Sequence, residues 1–207
     1  MGDYAKALEF YERALKTREI ALSPTHPDLA TSYNNIALVY FKMGNYAKAL
    51  EFHEKALKIR EQALPLTHPD LANSYNNIAS VYECRGNYAK ALEFHEKALQ
   101  INEKSLPSNH PHLATSYNNI GGVHDKMGNY EKALEFYEKS LKIQEIALPA
   151  NHPNLAASRG NIAVVYYNVG DYAKAAELFE KTLKVQEKAL PSNHPDLAAS
   201  YSNMASV

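Results

Sequence analysis

A strict 42-residue period is the feature of this 207-residue chain that most constrains its fold. Glycine followed by Asn or Asp and then Tyr recurs at this interval, and a His-Pro pair follows each glycine at a constant distance. Such a chain builds its fold from copies of one supersecondary unit that stack on their neighbours. We therefore predict a single array over residues 1–207, with repeat units 2–43, 44–85, 86–127, 128–169 and 170–207.

Each repeat unit contains the residue spacing of two amphipathic helices. In the first, Tyr33, Ile36 and Tyr40 follow three- and four-residue steps, which place side chains on one helical face. In the second, the same spacing begins at Tyr46 and continues through the alanines and leucines after it. We call these helix A and helix B, and the chain as a whole predicts about ten helices.

The helix boundaries carry their own signals. Because proline suits the first helical turn and disfavours helical geometry in the residue before it, His68-Pro69 predicts the N-cap and first residue of a helix A. Gly44 predicts the tight turn into helix B. Two helices of this size cannot bury their apolar stripes alone, whereas stacked pairs bury a continuous core. The predicted fold is therefore an all-α solenoid of antiparallel helix pairs.

The stretch "YNNIALVYFKMGNYAKALEFHEKAL" resembles the tetratricopeptide repeat. The usual period of that family is 34 residues, and the extra residues here fall at the end of helix B and in the turn after it. This longer form, with "HPDLA" before an Asn-Asn helix, is similar to the kinesin light chain type of repeat. The resemblance implies a right-handed superhelix in which helix A lines a concave groove that binds proteins. The signature positions are Tyr33, Ile36, Ala37, Tyr40, Gly44, Tyr46, Ala49, His53 and Ala56.

A second row on helix A, separate from its core row, is polar. It contains an asparagine in every copy, and an amide both donates and accepts, as a peptide backbone requires. The resemblance places these asparagines in one ladder along the groove, where they either contact a ligand or brace neighbouring A helices. The candidate groove residues are Asn34, Asn35, Asn76, Asn77, Asn118, Asn119, Asn161, Asn203, Thr31, Asn73, Thr115, Lys42, Lys126 and Arg159.

The fourth copy departs from this pattern, since Arg159-Gly160 replaces the Tyr-Asn of other copies. We expect a notch in the groove at Gly160, and Arg159 is the position at which the surface would select an acidic residue. Because Arg159 stands in the core row, it must extend outward or pair. The first turns of helix A lack the basic residues with which relatives clamp a peptide carboxylate, so such a clamp is not expected.

The sequence gives little support for a catalytic site or a metal site. Equivalent histidines on helices whose axes lie ~8–10 Å apart cannot share a zinc ion with ligands at ~2.0 Å. His53 and His95 take a position that aromatic residues fill in other copies, which favours a packed role. Cys84 has no recurring His or Asp partner. No nucleophile, base and orienting group can be assembled, so we expect no enzyme, metal or cofactor.

The composition and net charge of the chain limit the classes of partner that it is expected to bind. A formal net charge of −1 gives no electrostatic reason to bind nucleic acid or anionic lipid, and no apolar run approaches the length of a membrane span. One cysteine cannot form an intramolecular disulfide, which fits the cytoplasm. We therefore predict a scaffold for an extended peptide. The alternative is a structural spacer or self-assembling array, which the near identity of the copies supports.

The self-assembly alternative makes a specific prediction. The chain opens with a helix B and closes with a helix A, and both keep the internal apolar pattern. Those two surfaces are the halves of one repeat, so a second molecule can extend the array. We expect weak head-to-tail contacts through Tyr4, Leu8, Tyr11, Tyr201 and Met204.

Overall fold

The computed structural model describes residues 3–149 and 152–207, which form ten α-helices and no strand. Helices B and A alternate along the chain, so the all-α prediction is confirmed. Helices B are α1 (Tyr4–Ala21), α3 (Tyr46–Ala63), α5 (Tyr88–Ser105), α7 (Tyr130–Ala147) and α9 (Tyr172–Ala189). Helices A are α2 (Pro27–Lys42), α4 (Pro69–Cys84), α6 (Pro111–Lys126), α8 (Pro153–Asn168) and α10 (Pro195–Ala205).

The chain divides into two compact units, Met1–Ser105 and Leu106–Val207, and each is described by itself. Within each unit, the most extensive packing joins a helix A to the helix B that follows it, as in α2–α3 and α6–α7. Helix B also packs against the next helix A, as in α3–α4 and α7–α8. The unit of packing is therefore the antiparallel pair, while one solenoid over 1–207 and its right-handed superhelix stay predictions.

Each helix A begins with a histidine cap. His26 Nδ1 accepts a hydrogen bond from the backbone N–H of Asp28 at 3.2 Å, and Pro27 follows as the first helical residue. Proline loses nothing there, because the first N–H groups of a helix have no partner inside the helix. The same cap starts the other four A helices, so the predicted role of His-Pro is confirmed.

The turn between helices A and B depends on glycine. Gly44 has a φ of 74°, a left-handed conformation that costs side-chain-bearing residues energy. The turn lets the backbone N–H of Asn45 donate to Tyr40 O at 2.9 Å, which satisfies a carbonyl at the end of α2. Asn45 Oδ1 then accepts from Lys48 N at 3.2 Å and caps α3. One tripeptide therefore ends one helix and begins the next.

The core of each unit lies between the paired helices. In the first unit it contains Leu29, Ile36 and Tyr40 from α2, together with Leu15 of α1 and Ala49 of α3. In the second unit Ala133 and Tyr137 of α7 pack with Ile162 and Val165 of α8, and Phe179 of α9 packs with Ala163 and Ala175. The core rows predicted from three- and four-residue spacing are confirmed. No helix in the described residues combines the length and apolar character that a membrane span requires.

Candidate peptide-binding face of the A helices

The predicted groove residues occupy two levels of exposure. The tandem asparagines on α2, α4 and α6, and Asn161 and Asn203 on α8 and α10, are half-buried. The first-turn residues Thr31, Asn73 and Thr115 are exposed, as are Lys42 and Lys126 at the last residues of α2 and α6. Each A helix therefore presents exposed ends with partly covered amides between them.

The asparagines link successive A helices inside each unit. In the first unit, Asn77 Nδ2 on α4 donates to Asn34 Oδ1 on α2 at 2.9 Å. In the second, Asn161 Nδ2 on α8 donates to Asn118 Oδ1 on α6 at 3.1 Å. The second asparagine of one copy thus bonds to the first asparagine of the copy before it, which is the bracing interaction left open by the sequence.

In the second unit, these side chains border a shallow cavity of ≈190 Å³ between α6 and α8. Thr115, Asn118 and Asn161 line it, with Asn154 and Ala157 from the first turns of α8. The structure therefore brings three of the predicted groove residues together around one polar concavity.

The first asparagine also reaches helix B. In the second helix pair of the first unit, His95 Nδ1 lies 2.8 Å from Asn76 Oδ1, and His95 Nε2 lies 2.9 Å from Glu83 Oε1. The His95 side chain is 1% exposed, so these contacts join α4 to α5 inside the pair. The packed role predicted for this histidine is confirmed, and the acidic partner is a feature that sequence spacing did not indicate.

His53 has the same position one copy earlier but different surroundings. Phe41 stands where the next copy has Glu83, and the buried Nδ1 of His53 has no hydrogen-bond partner. Burial, followed by the positive charge of Arg60, lowers the pKa of His53 to about 4. His53 is therefore a buried neutral imidazole with one unsatisfied nitrogen.

A buried serine on helix A bonds the helix B that precedes it, and the sequence analysis missed this serine. Arg60 Nη1 donates to Ser74 Oγ at 2.7 Å and to Asp70 O at 3.3 Å, and burial lowers the pKa of Arg60. In the second unit, Ser158 Oγ donates to Gln144 Oε1 at 2.9 Å. A serine recurs five residues after the proline of each His-Pro pair, and this would have been the signal, since a buried hydroxyl needs a partner.

In the first unit, the tyrosine that follows this serine on helix A bonds a glutamate of the preceding helix B. Tyr33 Oη donates to Glu19 Oε1 at 2.8 Å and Tyr75 Oη to Glu61 Oε1 at 2.9 Å. Burial, then the hydrogen bond and charge of the glutamate, raise the pKa of each tyrosine to about 12. These half-buried tyrosines therefore stay protonated donors that hold successive copies together.

Arg159 belongs to this tyrosine row. Its Nη2 donates to Glu145 Oε1 on α7 at 3.1 Å, so it pairs, as its core-row position required. It does not line the cavity that contains Asn118 and Asn161. A Cβ on Gly160 would lie 3.9 Å from the Thr182 side chain on α9, an ordinary contact with helix B, and the notch expected at Gly160 stays a prediction.

The candidate head-to-tail residues divide into two groups. Tyr4, Tyr11 and Tyr201 are exposed, by 37%, 39% and 51%. Leu8 and Met204 are half-buried and pack against the cores of their own units. Among the five candidates, the tyrosines are thus the exposed residues, while Leu8 and Met204 are largely used by the packing of their own units.

Repeated antiparallel helix pairs, with glycine turns, capped A helices and polar links between copies, define an α-solenoid repeat protein. The tetratricopeptide repeat profile matches residues 1–62 and 70–146, and a second profile of that description matches 155–196. The chain belongs to the tetratricopeptide repeat family. Membership supports a protein–protein interaction scaffold in general terms.

Solved structures place the chain near kinesin light chain-like repeats. The crystal structure of Podosopora anserina putative kinesin light chain nearly identical TPR-like repeats is 28% identical, with a TM-score of 0.79. The match covers 92% of this chain and 90% of that one, and a variant of the same protein gives a TM-score of 0.80. BtubC from P. vanneervenii shares the fold at 24% identity and a TM-score of 0.79, covering 98% of this chain and 79% of that one. No curated protein matches the chain.

Proposed function

We propose that this chain is a non-enzymatic scaffold that binds an extended peptide along the polar face of its A helices. The observation that carries the proposal is the ≈190 Å³ cavity between α6 and α8, which Asn118 and Asn161 border with first-turn residues of both helices. A polar concavity of this kind suits a peptide backbone, which must satisfy both its N–H and its C=O groups. The family and its kinesin light chain-like relatives support a protein partner.

Bracing and peptide binding are compatible in this geometry. The bond from Asn77 to Asn34 uses one of the two N–H groups of the first amide and one lone pair of the second. It fixes the plane of both amides and leaves each with further hydrogen-bonding capacity. A-helix axes lie ~10 Å apart and an extended chain advances ~3.3 Å per residue, so successive copies would meet about every third peptide group.

Two asparagines separate the bracing role from the binding role. Asn77 donates to the preceding helix A, whereas Asn35 lies on α2, which follows only a helix B in the described chain. Asn77→Ala should therefore lower the free energy of unfolding by about 1 kcal/mol, the usual net worth of one hydrogen bond. Asn35→Ala should leave the stability unchanged and weaken peptide binding.

The test begins with selection of random 12-residue peptides displayed on phage against the native chain. One selected peptide, made synthetically, is then titrated into the native chain and both variants by isothermal titration calorimetry. We expect a several-fold weaker dissociation constant for Asn35→Ala. Equal binding by a folded variant in which Asn35, Asn77, Asn119 and Asn161 are all alanine would refute the proposal.

Self-association is the second candidate function, and the exposure of Tyr11 favours it. The equivalent side chains in later copies, His53, His95, Tyr137 and Phe179, are no more than 4% exposed, whereas Tyr11 is 39% exposed. A second copy of the chain that presents α10 could cover this face, and we expect a contact of two helices to bury less than ~1,200 Å² in total, the range of weak interfaces.

Sedimentation velocity over a wide concentration range tests this second candidate. Tyr11→Glu and Tyr201→Glu are cleaner variants than changes at Leu8 or Met204, which pack inside their own units. We expect weak concentration-dependent association that both substitutions abolish. A native chain that sediments as a monomer throughout would refute it. A cytoplasmic location also stays a proposal, supported by the single cysteine.

A further inference from the structure

Three helix pairs share an aromatic arrangement where a helix A meets the helix B that follows it. A tyrosine ring of helix A lies 6.1–6.2 Å from a phenylalanine ring of helix B, in the pairs Tyr33–Phe52, Tyr75–Phe94 and Tyr117–Phe136. A lysine three residues after each phenylalanine extends over its ring at 4.9–5.1 Å, namely Lys55, Lys97 and Lys139. In these pairs, the phenylalanine ring therefore contacts both the tyrosine ring and the lysine.

The helix pair α8–α9 changes both rings at once. Arg159 replaces the tyrosine and Leu178 replaces the phenylalanine, while the lysine is kept as Lys181. All three line a cavity of ≈560 Å³ that also contains residues of α7. In the first unit, a cavity at the corresponding place is lined by Tyr75 and Lys97 and by Leu66 and Thr67 of the turn before α4, and it has ≈260 Å³. Two smaller or more flexible side chains therefore leave a larger cavity beside α7 than the aromatic pair leaves in the first unit.

The groove is lined by both charged and apolar side chains. Arg159, Lys181 and Lys184 line it with a single carboxylate, Glu145. Its apolar lining is Leu141, Leu178 and Val185. A second cavity of ≈310 Å³ shares Leu141 and Leu178 and continues over Ile162 and Tyr166 of α8, with Glu138, Lys174 and Glu177 at its edge. The groove shares no lining residue with the cavity between α6 and α8, so it is a different surface from the proposed peptide-binding face.

Each cation of the groove forms an ion pair with a partly exposed glutamate, which a ligand carboxylate can replace or join. Lys181 and Lys184 pair with Glu177 and Glu180 on the surface of their own helix, where ion pairs contribute little. Arg159 has one partner among the described residues, Glu145, whose side chain is half exposed. Because a guanidinium carries five N–H donors in a planar fork, Arg159 can donate to a second carboxylate while it keeps its hydrogen bond to Glu145.

We propose that this groove between α7 and α9 binds an acidic amphipathic segment of a partner protein. A glutamate or aspartate of that segment pairs with Arg159, and apolar side chains of the same face cover Leu141, Leu178 and Val185. Charge complementarity favours this occupant, since the two lysines are paired only at the surface and Arg159 has further N–H donors beside an apolar floor. Because Arg159 and Leu178 replace the Tyr–Phe pair, the groove is specific to the helix pair α8–α9.

A defined peptide serves as the probe. It is a fluorescein-labelled 14-residue peptide with the sequence Leu-Glu-Glu-Leu-Leu-Glu-Glu given twice, compared with the same peptide in which glutamine replaces glutamate. Fluorescence anisotropy at 150 mM salt should show saturable binding of the glutamate peptide. Binding of the glutamine peptide should be about tenfold weaker, as expected for loss of a partly exposed hydrogen bond to a charged group.

Two double variants decide the location of the site. Arg159→Tyr with Leu178→Phe restores the residues of the other copies, so it should fold and bind the glutamate peptide about tenfold more weakly. Tyr75→Arg with Phe94→Leu should create a second groove in the first unit and raise the stoichiometry from one to two. Asn35→Ala should leave this binding unchanged, which separates the result from the fate of the proposed A-helix site.

Several outcomes would overturn the proposal. These are absence of saturable peptide binding, equal binding of the glutamate and glutamine peptides, and undiminished binding by the folded Arg159→Tyr, Leu178→Phe variant. Phosphatidylserine vesicles that sediment with the native chain but not with that variant, in the absence of peptide binding, would assign the groove to a membrane surface and also overturn it.

Discussion

His53 should make the stability of this protein depend on pH in a way that one substitution removes. The side chain is 2% exposed and its Nδ1 has no hydrogen-bond partner, and burial lowers its pKa from 6.5 to about 4. The unfolded chain therefore binds a proton at this residue between pH 6.5 and 4, where the folded chain does not. Since the unfolded state gains protons in that window, stability falls as the pH decreases through it.

The size of the effect follows from the two pKa values. With 6.5 for the unfolded chain and about 4 for the folded chain, His53 should cost about 2 kcal/mol between pH 7 and pH 5 and about 3 kcal/mol once the pH is below 4. His53→Phe places at this position the residue that Phe179 supplies in α9, and phenylalanine does not titrate. The variant should therefore lose this part of the pH dependence.

Urea unfolding, followed by circular dichroism at intervals from pH 7.5 to 4.5, measures the difference. The free energy of unfolding of the native chain should fall more steeply than that of His53→Phe, by about 2 kcal/mol at pH 5. His112→Phe, which changes an exposed histidine, is the matched control and should run parallel to the native chain. Parallel curves for the native chain and His53→Phe would refute the assignment of a buried, unpartnered imidazole.

Three further substitutions test the packing between paired helices. Ala91→Glu places a charge at a fully buried position of α5 and should cost about 3–5 kcal/mol, with helix lost first around the middle copy in a thermal melt; an unshifted single transition would contradict this. Gly121→Ala brings a Cβ to 2.8 Å from the Tyr137 ring and should destabilise by about 1 kcal/mol, since overpacking exceeds the gain in helix propensity. Gly122→Ala, whose Cβ would lie 3.5 Å from Tyr137 Oη, should instead stabilise by up to about 1 kcal/mol, and urea midpoints of equal sign would contradict the packing.

Local signals in the sequence were sufficient for the secondary structure. The period, the three- and four-residue spacing, and the His-Pro and glycine signals predicted ten helices and their caps correctly, because each depends on residues only a few positions apart. The same spacing identified the core rows and the row that contains Asn34 and Asn161. It could not choose between bracing and ligand contact, because the Asn77–Asn34 bond joins residues 43 positions apart.

The fourth copy shows what only the tertiary structure decides. The sequence identified Arg159 as an exception and required it to pair or extend, but it placed Arg159 with the groove asparagines. The structure places it instead against Glu145 of α7 and beside Leu178 of α9, at the opening of a different cavity. The period fixes which residues are equivalent and helical geometry fixes which share a face. Which neighbouring helix a face meets depends on packing between copies, and no local pattern encodes it.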